Sequence, residues 1–202
     1  MSRAAQTAGL VRAIPELCRA ALSLSVATTA ACGAFLSGSV RDATVAFGAV
    51  LFLAAGASAL NQVQERDDDK RLSRTRGRPL PAGAVSVRQE GGRAGLLLLA
   101  GFAVLAAYAR NGVPLGAALA ALILYNGAYT PLKSVTAMAL LPGAVAGALA
   151  PIIGAAVAGS IPASSMVLSG AILVWQVPHT WLIELQHRED YLALPRPTFC
   201  RL

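Results

Sequence analysis

Asn61, Glu65 and Asp69 recur every four residues in a stretch from Asn61 to Pro81 that also carries Asp67, Asp68 and a run of arginines. If the apolar segment before them continues as a helix, that interval puts all three side chains on one face at its end. An amide and two carboxylates gathered this way are hard oxygen ligands. They suit Mg²⁺, which fills its remaining positions with water or phosphate oxygens. Just beyond, Arg71, Arg74, Arg76 and Arg78 carry guanidinium forks that match phosphate oxygens, so the stretch as a whole suits a diphosphate. A solvated loop whose arginines touch anionic lipid is the alternative. It accounts for the arginines but not for four acidic residues among the five from Glu65 to Asp69.

Two more stretches mix polar chemistry with apolar surroundings. Tyr129 and Lys133 stand four residues apart. They read either as an interfacial tyrosine with a topology-setting lysine or as a phenol beside an ammonium that binds phosphate as a point charge. Further on, Gln176, His179 or Thr180, His187 and Asp190 fall near one helical stripe, with Glu184 four after Thr180. Polar groups inside an apolar helix are costly and usually face a cavity or a partner. His179 by itself fits a hydrogen-bonded packing residue equally well.

The elements that must position these residues are apolar and long. Of 202 residues, 55% are hydrophobic and 13% charged, and six charge-poor runs can be counted. They extend from Ala20 to Leu36, Ala43 to Leu60, Ala94 to Ala109, Val113 to Tyr125, Ala137 to Val157 and Pro162 to Val177. Most approach the ~20 residues that cross a bilayer, and a chain this short has no soluble core able to hide six such helices. The fold expected is an all-α, polytopic membrane bundle in one domain, residues 1–202. The first run lacks a small-residue cleavage site and is expected to stay as a helix.

Fifteen of the seventeen basic residues fall on one side of this topology, with only Arg41 and Arg110 on the other. The positive-inside rule therefore predicts an even number of spans with both termini cytoplasmic, in the cell's inner membrane. That distribution also explains the net charge of +7 without nucleic-acid binding. Cys18, Cys32 and Cys200 have neither metal-ligand nor disulfide spacing and read as apolar filler. Gly143 and Gly147 form a small-xxx-small pair expected to let helices approach closely.

The Asn61 stretch resembles the first aspartate-rich motif of the UbiA superfamily of intramembrane prenyltransferases, NxxxDxxxD followed by RTxxRP. Asn61, Asp69, Arg74-Thr75 and Arg78-Pro79 match, and Glu65 stands where the family usually has Asp. Tyr129-Thr-Pro-Leu-Lys133 with the Pro142 to Gly154 stretch, and Trp175-Gln-Val-Pro-His179 with Arg188-Glu-Asp-Tyr191, are similar to the haem-farnesylating branch. Ser134, Val135 and Ala139 depart from it: that branch usually has two basic residues and an Asn there. The likeness extends from about Arg19 through Tyr191.

The resemblance implies a nine-helix fold of which six spans are present, and a chain truncated or frame-shifted before the last three. It implies transfer of a farnesyl group from farnesyl diphosphate to the vinyl group of haem B, with Mg²⁺ as cofactor. Asn61, Glu65, Asp69, Glu184 and Asp190 are then expected at the metal. Arg66, Arg74, Arg78, Tyr129 and Lys133 are expected at the diphosphate, and His179 nearer the acceptor. The lipid bilayer and an oligomer or second chain completing the fold are the other partners expected. Prenylation of an aromatic acid or quinone precursor, and a remnant that binds diphosphate without turnover, remain open as alternatives.

Overall fold

The computed structural model describes residues 18–73, 75–194 and 197–199. Helix α1 spans Ala20–Phe35, α2 Val40–Gln64 and the short α3 Arg66–Asp69. After a turn-rich loop come α4, Val87–Tyr108, and α5, Val113–Leu122, which continues through a π-helical stretch, Ile123–Tyr129, into α6, Thr130–Leu132. A 3₁₀ turn over Ala137–Ala139 leads into α7, Leu140–Val157, followed by α8, Ala163–Gln186, and α9, Arg188–Ala193.

The start of each hairpin partner is written in the sequence. Ser39 with Asp42 and Ser86 with Gln89 form reciprocal capping boxes at the first turns of α2 and α4. Each satisfies two backbone donors that would otherwise be orphaned. Pro114 and the Pro162 before α8 fit first-turn and entry positions where a missing N–H costs nothing.

Five helices are long and apolar enough to cross a membrane: Val40–Gln64, Val87–Tyr108, Val113–Leu132, Ala137–Val157 and Ala163–Gln186. The expectation of six spans is thus met by five, with the predicted first one formed as the 16-residue α1. At 1.5 Å per residue α1 is about 24 Å long, short of a ~30 Å hydrocarbon core. The run from Val113, the shortest read from sequence, is instead a full span, because the π-helical stretch carries it to Leu132.

The interior is built from small side chains. Ala27, Ala30, Ala34, Ala46, Ala49, Ala59 and Ala155 are fully buried, whereas Leu96, Leu99, Val167 and Val174 point outward. This inversion is what a bundle in lipid requires, since large apolar groups gain nothing by leaving hydrocarbon and small ones let backbones meet. α7 occupies the middle, packed on α1, α5 and α8, while α2 packs on α1 and α4. The closest approach is between α1 and α7. A side chain at Gly33 would run into the Pro151 backbone, and one at Gly154 into the Ala30 carbonyl.

Gly143 and Gly147 play a different part from the one their spacing suggests. The ring of Tyr129 lies against Gly143, and the side-chain amide of Gln176 lies against Gly147. The pair makes room for two polar side chains on one face of α7 rather than for a neighbouring helix backbone.

Candidate active site

The α2 ladder carries past its own end. Glu65 N–H donates to the Asn61 carbonyl at 2.9 Å, and Asp69 N–H to the Glu65 carbonyl at 2.9 Å. Asn61, Glu65 and Asp69 therefore share one face, and it faces inward. Asn61 is fully buried, Asp69 is 5% exposed and the Glu65 side chain 12%. The loop after them is packed rather than solvated. Leu72, Leu80 and Val85 are buried, and Thr75 donates its hydroxyl to the Asp69 carbonyl at 2.9 Å.

Each carboxylate meets a cation. Arg78 donates to Asp69 Oδ2 at 2.9 Å, and Lys133 to Glu65 Oε1 at 2.5 Å. The Lys133 ammonium also stands 4.1 Å from the centroid of the Tyr129 ring, which is stacked on Tyr125 at 5.5 Å. Burial by itself would depress the lysine. The Tyr129, Glu65 and Tyr125 oxygens outweigh it and hold Lys133 above its ordinary value.

The π-helical stretch supplies the second wall. Its wider turn lets the Thr130 N–H reach the Tyr125 carbonyl five residues back, and the Thr130 hydroxyl donates to the same oxygen at 2.8 Å. The Asn61 amide donates to Thr130 Oγ1 at 3.0 Å. Beside it, Gln64 donates to the Asn126 carbonyl, and Asn126 donates to Gln64 Oε1 and to the Ala57 carbonyl, each at 3.0 Å. Such stretches recur at functional sites because they shift the side-chain register and free carbonyls. Here they fasten α5 to α2 at the level of Asn61.

A residue that sequence reasoning left among the topology-setting arginines completes the cluster. Arg19, at the N-terminal edge of α1, donates to Asn61 Oδ1 at 3.3 Å and to the Tyr125 hydroxyl at 3.2 Å. Its backbone is left-handed, φ 44° and ψ 57°, a conformation costly for a side-chain-bearing residue and typical of sites where structure over-determines it. Burial opposes its charge, but Tyr125, Glu65 and Asp69 prevail and raise it further. The signal was present in the sequence: Arg19 is the last charge before the first apolar run. Tyr125 was legible as well, one interval of four before Tyr129 and two before Lys133.

Beneath this cluster lies an apolar cavity of about 160 Å³, walled by α1, α2, α5 and α7 with Gln176 from α8. Tyr125 is shared: its ring lines the cavity while its hydroxyl receives Arg19. A smaller cleft of about 60 Å³ opens on the other side of Lys133, lined by Tyr129, Thr180, Glu184 and Tyr191.

The remaining sequence-predicted residues divide. Glu184 lines that small cleft and accepts the Phe199 N–H at 2.9 Å. Asp190 lies at the edge, accepting from the Ser73 hydroxyl at 2.8 Å and the Ser73 N–H at 3.2 Å, so it ties α9 to the loop after Asp69. Arg66 turns away, donating to the Val63 carbonyl and pairing with Asp67. His179 is exposed on the outer face of α8, stacked on Trp175 at 4.3 Å, and lines neither cavity. On that stripe the inward-facing member is Thr180, because Gln176, Thr180 and Glu184 repeat every four residues toward α7. Arg74 lies outside the described residues, as does Cys200. Cys32 is exposed, and burial, with Glu90 nearby, pushes the Cys18 thiol up and away from a reactive thiolate.

Among the described residues no three acidic, histidine or cysteine side chains stand close enough to form a ready-made metal cluster. The donor set nevertheless fits Mg²⁺. Asn61, Glu65 and Asp69 offer only hard oxygens, and each carboxylate is paired with a cation of a type that suits phosphate.

Comparison with known proteins identifies the family. The model of the UbiA prenyltransferase family matches residues 22–202. A protoheme IX farnesyltransferase of Geobacter sulfurreducens is 45% identical over 157 residues, covering 77% of this chain and 57% of that protein. The mitochondrial protoheme IX farnesyltransferase of Arabidopsis thaliana is 36% identical, over 95% of this chain and 47% of its own length. The chain thus spans about half the length of the curated relatives it matches. Among solved structures, a UbiA homolog from Archaeoglobus fulgidus bound to GPP and Mg²⁺ superposes with a TM-score of 0.75 at 22% identity, covering 92% of this chain and 67% of that one. With the fold, the family match and these relatives in agreement, the chain belongs to the UbiA prenyltransferase family.

Proposed function

We propose that this protein transfers the farnesyl group of farnesyl diphosphate to a vinyl group of haem B, giving haem O. The observation that carries the reading is Tyr125, whose ring walls an apolar cavity while its hydroxyl belongs to a cluster of cations, carboxylates and an amide. A substrate with a charged head and a hydrocarbon tail fits that junction. The haem acceptor rests on the curated relatives in bacteria and plants.

Asn61, Glu65 and Asp69 would hold Mg²⁺, with Glu184 and Asp190 the further carboxylates at the rim. The bound ion would neutralise the diphosphate and so ease its departure. Arg19, Arg78 and Lys133 bind the phosphate oxygens, exchanging their present carboxylate and amide partners for substrate. Tyr129 keeps Lys133 in place by offering its ring face.

The chemistry balances simply. The bond from farnesyl C1 to oxygen breaks, and its electron pair leaves with the diphosphate. The vinyl π pair forms the new carbon–carbon bond, and water captures the cation left beside the porphyrin, releasing a proton to solvent. The apolar cavity keeps water from the first cation until the vinyl group reaches it. The excess of basic residues at the polar end favours a cytoplasmic placement of that end and of both termini, in the inner membrane.

The test is purified chain in detergent with haem B, farnesyl diphosphate and Mg²⁺, followed by mass spectrometry of the haem. Haem gaining one farnesyl group and one hydroxyl group is expected. Unmodified haem from folded protein would reject the reading.

A further inference from the structure

Gln176 places a polar group in the wall of the apolar cavity, and nothing in the site described above uses it. Its Nε2 donates to the Ala144 carbonyl at 3.1 Å, and the amide lies flat over Gly147. The donor end is thereby fixed on the α7 backbone. Gln176 lines the cavity, and among the described residues no donor reaches its Oε1.

The position is specific. Gly143, against which the Tyr129 ring rests, and Gly147, against which Gln176 rests, are four residues apart on α7, a rise of about 6 Å. Lys133 stands 4.1 Å from the centre of the Tyr129 ring. Reading inward from the polar end, the order is ammonium, phenol ring, amide carbonyl. A prenyl diphosphate whose phosphate met Lys133 would extend its allylic carbons past the Tyr129 ring toward Gln176.

We propose that the Gln176 carbonyl is the fixed dipole that faces the allylic carbons and stabilises the positive charge that grows there as the diphosphate leaves. This rests on the prenyl-transfer reading and names a further catalytic residue for it. The electron pair of the C1–O bond leaves on the diphosphate. The cation spread over C1 and C3 then sees the negative end of a dipole that needs no reorientation. The hydrogen bond to Ala144 is what makes the dipole fixed, and Gly147 is what allows the amide to lie against the wall.

The experiment is single-turnover kinetics of the full chain with Gln176→Met, which keeps length and apolar volume but removes the dipole. The rate of C1–O cleavage is expected to fall about 100-fold. Affinity for farnesyl diphosphate, read by competition with inorganic diphosphate, should not move. Should that variant not fold, Gly147→Ala serves: its new Cβ takes the place of Nε2, lifts the amide off the wall, and is expected to slow cleavage with affinity retained. Where both variants fold, their combination should be no slower than Gln176→Met alone.

Wild-type cleavage rates in either variant, a rate loss matched by lost affinity, or multiplying effects in the double variant would overturn the assignment. Diphosphate release to water that depends on Gln176, without farnesylated haem, would sink the haem acceptor and leave this role standing. Haem transfer indifferent to Gln176 would do the reverse. A wild-type chain that cleaves no donor would overturn both.

Discussion

Asp69→Asn is expected to lower turnover by about 10²- to 10³-fold while leaving the protein folded. The Asp69 side chain is 6% exposed and accepts from Arg78 at 2.9 Å. Asn preserves the shape and one acceptor for Arg78, so the loop from Leu72 to Val85 keeps its anchor. Thr75 holds that loop through the Asp69 backbone carbonyl, which the substitution does not touch. What is lost is a negative oxygen for the metal. The internal control is Asp67→Asn, two residues away, where the carboxylate is exposed and pairs with Lys70. Its removal should leave steady-state rates unchanged, since exposed pairs contribute little. Equal effects at both positions would mean that the acidic run acts only through bulk charge.

Lys133→Met is the second large effect, and it separates stability from catalysis. The Lys133 and Glu65 side chains are 18% and 12% exposed, so removing the ammonium takes from the mostly buried Glu65 carboxylate its hydrogen-bonded cation. Breaking such a pair costs about 3 kcal/mol, to be read as a drop in unfolding midpoint in detergent. Lys133→Met combined with Glu65→Gln should recover most of that loss. It should recover no activity, because neither the phosphate grip nor the metal carboxylate returns.

The pH dependence has a definite sign. Lys133 is raised in the folded protein, so its contribution is complete below the ordinary lysine value of 10.5 and fades only as pH climbs past the folded one. Rate and stability should therefore show no lysine-dependent fall anywhere between about pH 6 and 10. A decline in stability across that interval, abolished in the double variant, would place the lysine outside the ion pair.

The sequence carried the helical bundle and the inward face of Asn61, Glu65 and Asp69 because both rest on periodicity alone. Charge-poor runs mark spans, and an interval of four fixes a face once the helix continues. The limits appear where a fact depends on a partner from another element. Arg19 looked like one more positive-inside residue until α1 was seen to deliver it to Asn61 and Tyr125. His179 and Thr180 are neighbours on α8. Only the packing of that helix on α7 decides that Thr180 turns in and His179 turns out.

Gly143 and Gly147 illustrate the same limit from the other side. A small-xxx-small pair announces close approach but does not name what approaches, and here it is Tyr129 and Gln176 rather than a backbone. The helix-to-helix contact that such a motif suggests is made by Gly33 and Gly154, which are 121 residues apart in the chain and share no local pattern. The π-helical stretch was likewise invisible, since Ile123 to Tyr129 reads as ordinary helix until Thr130 is seen bonded five residues back.

The most direct measurement is calorimetric titration of the purified chain with farnesyl thiodiphosphate, a donor slow to react, in Mg²⁺ and again in excess chelator. Affinity should fall roughly 100-fold when the ion is removed. Asp69→Asn should bind equally weakly in both conditions, and farnesol, which lacks the diphosphate, should show no dependence on the ion. Identical affinity with and without Mg²⁺ in the wild-type protein would contradict a polar end built to seat a metal-bound diphosphate.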